Sequence, residues 1–386
     1  QVESVEVVPD IEDRIASAFV KSASMSSLVI ASGGLGPTPD DLSREGLASA
    51  MGEELVIDDA ARSWIRSKLE GRGFPCTPHQ ENMARRPVSA SWFANGQGTA
   101  PPLNARIGEC EIWLLPGPPS ELQSCFISHV LPGLPAHVDG DQAWTGRIRC
   151  HGLLEADIIE RLGDVLDRNN EVQVGTRMSR GIFIATVHAP SPEQGESVVA
   201  FIEERLFPHV LGRDDVTLSS SVGDLLQQQG VTLATAESCT GGMVGACIVD
   251  TPGSSNWYLG GVVCYTNELK QSLVNVPAGL FEPGAPGAVS REVASAMARG
   301  VREVTGADIG LSITGIAGPD GGTEEKPVGT VWIAIAHGED VTARCFVFQG
   351  DRAGIRRRAR MHALQLVRFA LLGEAETAGL PWETRS

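Results

Sequence analysis

The sequence predicts an α/β protein: two three-layer α/β domains joined by a small α+β middle domain. Three observations carry the prediction. Apolar, strand-like runs enter glycine-bearing turns at 28–36, 112–117, 231–242 and 309–322, and the first three of these lead on into helices. Strand, turn and helix in alternation is the pattern of α/β folds. The stretch 134–143 is rich in Pro, Gly and Asp and reads as a linker. Residues 147–207 then alternate strands and helices without a glycine-rich loop, which predicts a packing module or spacer.

Composition bounds the function. A chain of 386 residues holds two or three domains. A formal net charge of −17 excludes a broad nucleic-acid-binding or anionic-membrane surface. No apolar run reaches the length of a membrane span and no signal peptide is evident, so the expectation is a soluble, cytoplasmic protein. Eight cysteines include no C-x-x-C pair and no zinc spacing, which predicts reduced, mostly buried thiols.

In the first domain, residues 10–20 read as a helix and 28–31 as a strand running into a loop with Gly33, Gly34 and Gly36. Thr38 reads as the N-cap of the next helix, with Pro39 at N1 and Asp40 and Asp41 in the first turn. The glycine-rich loop could wrap a phosphate, and Asp41 beside it could hold a divalent metal. Residues 53–72 read as helix and 76–102 as irregular. The strand 112–115 enters Pro116-Gly-Pro-Pro-Ser120, with Ser120 as cap and Gln123 completing a capping box.

In the last domain, Thr235-Ala-Glu-Ser-Cys-Thr-Gly-Gly-Met-Val-Gly245 links a buried strand to a helix at 243–249. Ser238, Cys239 and Thr240 therefore fall at a strand's carboxyl end, where open α/β sheets bind ligands. The N–H groups of Thr240, Gly241 and Gly242 are expected to be free helix-start donors for an oxyanion or phosphate, although a serine-capped glycine turn explains the pattern equally well. A strand at 260–265 leads to Thr266-Asn-Glu-Leu-Lys270, Ser290 caps a helix closed by Gly306, and 309–313 enters the longest glycine loop. Strands at 328–336 and 343–348 precede a helix carrying Arg352, Arg356 and Arg360 in one row, and the tail from 374 is expected to fray.

These motifs resemble those of the CinA family (competence/damage-inducible protein CinA). Ala236-Glu-Ser-Cys-Thr-Gly-Gly242, Tyr265-Thr-Asn-Glu-Leu-Lys270, Ser312-Ile-Thr-Gly-Ile-Ala-Gly-Pro-Asp-Gly-Gly-Thr323, Pro327-Val-Gly-Thr-Val331 and Gly350-Asp-Arg352 are similar to its C-terminal amidohydrolase domain. Ser32-Gly-Gly-Leu-Gly-Pro-Thr-Pro-Asp-Asp41 and Leu115-Pro-Gly-Pro-Pro-Ser-Glu121 resemble its molybdopterin-binding-like (MoaB/MogA-like) N-terminal domain. The resemblance implies domains at 1–140, 145–212 (KH-like) and 213–374, with a first strand and glycine loop of the N-terminal domain preceding Gln1, so that this domain is read as N-terminally incomplete. It implies deamidation of nicotinamide mononucleotide to nicotinate mononucleotide and ammonia by the C-terminal domain, without a cofactor. It also implies a homodimer and small-molecule nucleotide substrates. Metal-dependent hydrolysis of ADP-ribose, at a site including Gly33, Gly34, Gly36, Thr38, Asp41, Gly117, Ser120 and Glu121, is the activity implied for the N-terminal domain. A non-catalytic nucleotide- or pterin-binding protein is the remaining alternative.

Amide hydrolysis needs a nucleophile, a base that returns its proton to the leaving ammonia, and oxyanion donors. Ser238 is the expected nucleophile and Lys270 its base, since the C-terminal motifs contain no histidine. Tyr265 is a candidate proton relay. Cys239 is the rival nucleophile, but successive strand side chains alternate, so it should face the core. Oxyanion donors are expected at Thr240 and Gly241. Substrate contacts are expected from Gly242, Asn267, Thr314, Gly315, Gly318, Asp320 and Gly321, with Arg356 either pairing with phosphate or lying on a solvated arginine face.

Overall fold

The computed structural model describes residues 2–134 and 144–384, so nearly all of the expected linker and the last two residues lie outside it. The chain divides into two compact units, Gln1–Val138 and Asp139–Ser386.

The first unit contains α1 (Glu12–Ala23), β1 (Leu28–Ser32), α2 (Ser43–Met51), β2 (Leu55–Ile57), α3 (Asp59–Glu70), α4 (Pro78–Glu81), β3 (Arg85–Pro87), β4 (Ser91–Trp92), β5 (Leu103–Ile107), β6 (Cys110–Leu115) and α5 (Pro119–Cys125). Its main sheet runs β1-β6-β5-β4. Only β1 and β6 are parallel, with Ser32 opposite Leu115. Both strands therefore deliver their glycine loops to the same edge. Residues 53–72 are not one helix as expected. Val56 and Ile57 favour extended backbone, and β2 pairs antiparallel with β3. Asp58 then caps α3 by accepting the N–H groups of Ala60 and Ala61.

The second unit begins with β7 (Trp144–His151), α6 (Glu155–Leu162), β8 (Gln173–Ser179), β9 (Ile182–Ala189), α7 (Pro192–Leu206) and β10 (Val210–Arg213). The antiparallel sheet β10-β7-β9-β8 packs Ile148, Phe183 and Val187 against Ile158, Val199 and Ile202 of the two helices, giving the expected α+β module.

The remainder comprises α8 (Leu218–Gln229), β11 (Leu233–Glu237), α9 (Met243–Val249), β12 (Tyr258–Val263), α10 (Asn267–Val274), α11 (Arg291–Thr305), β13 (Ile309–Gly315), β14 (Thr330–His337), β15 (Asp340–Val347), α12 (Arg352–Leu371) and β16 (Glu383–Thr384). The sheet order is β12-β11-β13-β14-β15-β16, parallel over its first three strands and antiparallel beyond. One face packs on α11 through Val293, Met297 and Val301; the other packs on α8, α9 and α12 through Val222, Ile248, Ile355 and Val367. Each of the three α11 side chains is fully buried and contributes about 1.5–3 kcal/mol. Covered on both faces, β11 is buried throughout and β13 in all but its last residue, polar side chains included. Gly300 lets α11 meet the end of α10, since a Cβ there would lie 1.8 Å from the Val274 carbonyl oxygen.

The tail does not fray as expected. Glu383 forms a two-pronged ion pair with Arg344, and β16 pairs with β15. Trp382 packs on Phe348, His362 and the Arg358 guanidinium.

Candidate active site

Three parallel strands end together at one edge of the sheet. Ser238 directly follows β11, Thr314 and Gly315 close β13, and the turn after β12 begins α10, which carries Lys270. The Ser238 N–H donates to the Ile313 carbonyl at 2.9 Å, tying the residue to the neighbouring strand end. A pocket of about 220 Å³ opens here, walled by Ser238, Tyr265, Asn267, Lys270, Thr314, Gly315 and Arg352 among others.

Lys270 is 1% exposed. Its Nζ lies 3.1 Å from Ser238 Oγ, 3.0 Å from the Cys264 carbonyl oxygen and 3.2 Å from that of Tyr265. An ammonium donates a proton to each of the three. A neutral amine keeps two protons on the carbonyls and turns its lone pair to the serine hydroxyl. Burial favours that second state by pushing the Lys270 pKa below the ordinary lysine value, against the smaller opposing pull of Cys264, Cys239 and Glu268.

The turn after Ser238 is spent differently from the sequence expectation. The Glu237 carboxylate, 2% exposed, accepts the N–H groups of Gly242 (3.0 Å), Val244 (3.1 Å) and Gly245 (2.8 Å), so α9 is capped from within. Gly241 N–H donates to the Ser238 carbonyl. Gly241 and Gly242 have φ of 61° and 90°, which supplies the physical need for glycine there. Neither is a free donor, and Thr240, Gly241 and Gly242 do not line the pocket. Within residues 238–242, Cys239 and Thr240 are left with N–H groups that carry no hydrogen bond among the described residues. The Cys239 side chain packs in the hydrophobic core, where burial raises its thiol to about 12.

Arg356 lies outside the pocket lining and is half-buried rather than on a solvated face. Its Nε donates to the Cys239 carbonyl (2.9 Å) and its guanidinium to that of Thr240 (2.8 Å), clamping the turn from behind. One helical turn earlier, Arg352 reaches the pocket, donating to the Gly318 carbonyl (2.7 Å) and the Tyr265 hydroxyl (3.1 Å). The Tyr265 hydroxyl is thus directed to Arg352, while its carbonyl holds Lys270; no relay between Ser238 and Lys270 passes through the phenol. Thr314 Oγ1 donates to the Ala288 carbonyl, and Asn267 stands at the pocket wall at the start of α10. Gly318 contributes a carbonyl rather than an N–H, and Asp320 and Gly321 lie outside the pocket lining.

In the first unit the glycine loops do meet: a Cβ on Gly117 would lie 3.4 Å from Gly33 Cα. Thr38 does not cap a helix. Its N–H and hydroxyl both donate to the Asp41 carboxylate, closing a turn, and α2 starts only at Ser43. Burial alone would raise the Asp41 pKa, but hydrogen bonds from Thr38 and Gly36 and the Arg44 charge hold it below the ordinary value. The buried Arg44 guanidinium donates to the carbonyls of Leu35 and Gly36. Ser120 does not cap either, because α5 starts at Pro119 without a side-chain cap. Glu121 accepts from Asn95 Nδ2 at 2.7 Å and so braces a neighbouring loop. Among the described residues no group of three His, Cys, Asp or Glu side chains is placed to hold a metal ion. Asp41 offers a single carboxylate already engaged by Thr38, and these residues do not supply a metal ligand set.

A family model described as the CinA C-terminal domain matches residues 215–371, and one described as a probable molybdopterin binding domain matches 1–136. A putative competence-damage inducible protein from Moorella thermoacetica is 39% identical over 376 residues, 96% of this chain and 90% of that protein. The chain belongs to the CinA family. A CinA-like protein from Geobacter sulfurreducens is 36% identical, covering 95% of this chain and 90% of its own. The crystal structure of a CinA superfamily protein from Klebsiella pneumoniae is 32% identical, covers 40% of this chain and 96% of that one, and superposes with a TM-score of 0.39.

Two residues of this CinA-family site escaped the sequence reading. Glu237 had a signal, an acid between a buried strand and a Gly-Gly helix start. Arg352 shares a helix row with Arg356, and only the position of α12 on the sheet decides which of the two faces the pocket.

Proposed function

We propose that the C-terminal domain hydrolyses the carboxamide of nicotinamide mononucleotide, giving nicotinate mononucleotide and ammonia. The observation that carries the reading is the 3.1 Å contact between Ser238 Oγ and a fully buried Lys270 Nζ. Neutral Lys270 takes the proton as Ser238 Oγ attacks the amide carbon. The oxyanion accepts the free N–H of Cys239, the residue beside Ser238 in the pocket lining. The Lys270 ammonium then passes a proton to the departing nitrogen, which leaves as ammonia, and the acyl-serine is hydrolysed by a water that Lys270 deprotonates. Arg352, exposed on the pocket wall, supplies the charge for the substrate's phosphate.

Ammonia release from nicotinamide mononucleotide by the full chain, and by Ser238→Ala, tests this. Activity in the parent and loss in the variant support it; equal release from both removes Ser238 from the mechanism.

A further inference from the structure

A second and larger cavity, about 1130 Å³, lies between the antiparallel middle sheet and α12. Its wall carries Arg149, Arg177, Arg180, Arg357, Arg358 and Arg360 against one carboxylate, Glu155. That bias opposes the whole chain, in which 48 Asp and Glu outnumber 31 Lys and Arg. Arg149 is paired with Asp215, and Arg358 lies 5.3 Å over the Trp382 ring. Arg177, Arg180, Arg357 and Arg360 have no ion-pair or hydrogen-bond acceptor among the described residues, and Arg360 Nε is buried without a partner. Like charges gathered along one cleft give it a positive potential that favours an anion.

The remaining lining identifies the rest of the ligand. Met178, Ile182, Met361 and Trp382 offer an apolar, partly aromatic surface of the kind that takes a flat base. His151, 6% exposed, donates from Nδ1 to the Gly181 carbonyl at 2.8 Å, and burial keeps the ring neutral by lowering its pKa to about 4. Its Nε2 is then a buried acceptor without a partner, suited to a hydroxyl or amino donor that bare phosphate lacks.

We propose that this cleft binds a nucleotide bearing two or more phosphates, its phosphates on Arg177, Arg180, Arg357 and Arg360 and its base on the apolar wall. The site is separate from the Ser238 pocket, and α12 runs between them with Arg352 at one and Arg357 at the other.

The test measures equilibrium binding of ATP to the full chain, to Arg177→Gln/Arg357→Gln and to Arg352→Ala, with inorganic triphosphate and a single-stranded oligonucleotide as competitors. Two lost charge-assisted contacts should weaken ATP binding by at least about tenfold in the double variant. Both substituted arginines are exposed, and thermal melting checks that the fold is kept. Arg352→Ala should bind ATP as the parent does, and inorganic triphosphate should compete less well than ATP. An unchanged affinity in the double variant overturns the proposal, as does loss confined to Arg352→Ala. Triphosphate binding as tightly as ATP, or preferential displacement by the oligonucleotide, also overturns it.

Discussion

Lys270→Met separates chemistry from folding at the Ser238 site. Methionine keeps the length and apolar stem of lysine and removes only the amine. At the ordinary lysine pKa of 10.5, about one Lys270 in three thousand would be neutral at pH 7, and each unit of lowering by burial multiplies that fraction tenfold. The parent rate should therefore rise with pH and level off below the ordinary lysine range, because deprotonation of Lys270 creates the base. With the base removed, ammonia release should fall by about 10³-fold or more and the pH-dependent rise should vanish. Stability should change little. Losing the hydrogen bonds to the Cys264 and Tyr265 carbonyls costs about 1 kcal/mol each, offset by removal of a desolvated amine. The assay pairs ammonia release between pH 6 and 10 with urea unfolding. A folded variant retaining a tenth of parental activity, or one that keeps the parental pH profile, refutes the assignment.

Arg352→Ala should raise KM for nicotinamide mononucleotide about tenfold, while leaving the ratio for the unphosphorylated nucleoside near one; steady-state kinetics on both substrates checks this. Glu237→Gln should lower kcat with KM nearly kept and destabilise by about 1–3 kcal/mol, because three N–H groups lose a charged acceptor; denaturant midpoints and kinetics measure both. Cys239→Ala should keep most of its activity, since the thiol is buried and protonated, and a loss beyond tenfold in a folded variant would transfer the nucleophile's role. Gly300→Ala should destabilise by about 3 kcal/mol or more through collision with the Val274 carbonyl, read as a fall in the unfolding midpoint.

The strand ends, glycine turns and helix caps of the C-terminal half were legible because local rules set them: Ser290 caps α11 and Gly306 closes it in the left-handed region, as their residue types require. Cap assignments failed where a side chain had a better partner elsewhere. Thr38 was drawn to Asp41, and Pro119 started α5 before Ser120 could cap it. The tail was misread because its anchors, Arg344 and the Phe348–His362 cluster, are remote in sequence.

The same division runs through the site. Residue order alone placed Ser238 at a strand's carboxyl end and excluded histidine as its local base, because strand periodicity and motif spacing are properties of neighbours along the chain. The sheet order decided the rest. Setting β12 and β13 on either side of β11 brought Lys270 to Ser238 and seated α12 so that Arg352 faces the pocket while Arg356 grips the turn. Distances between side chains on separate elements follow from packing, and no local pattern contains them.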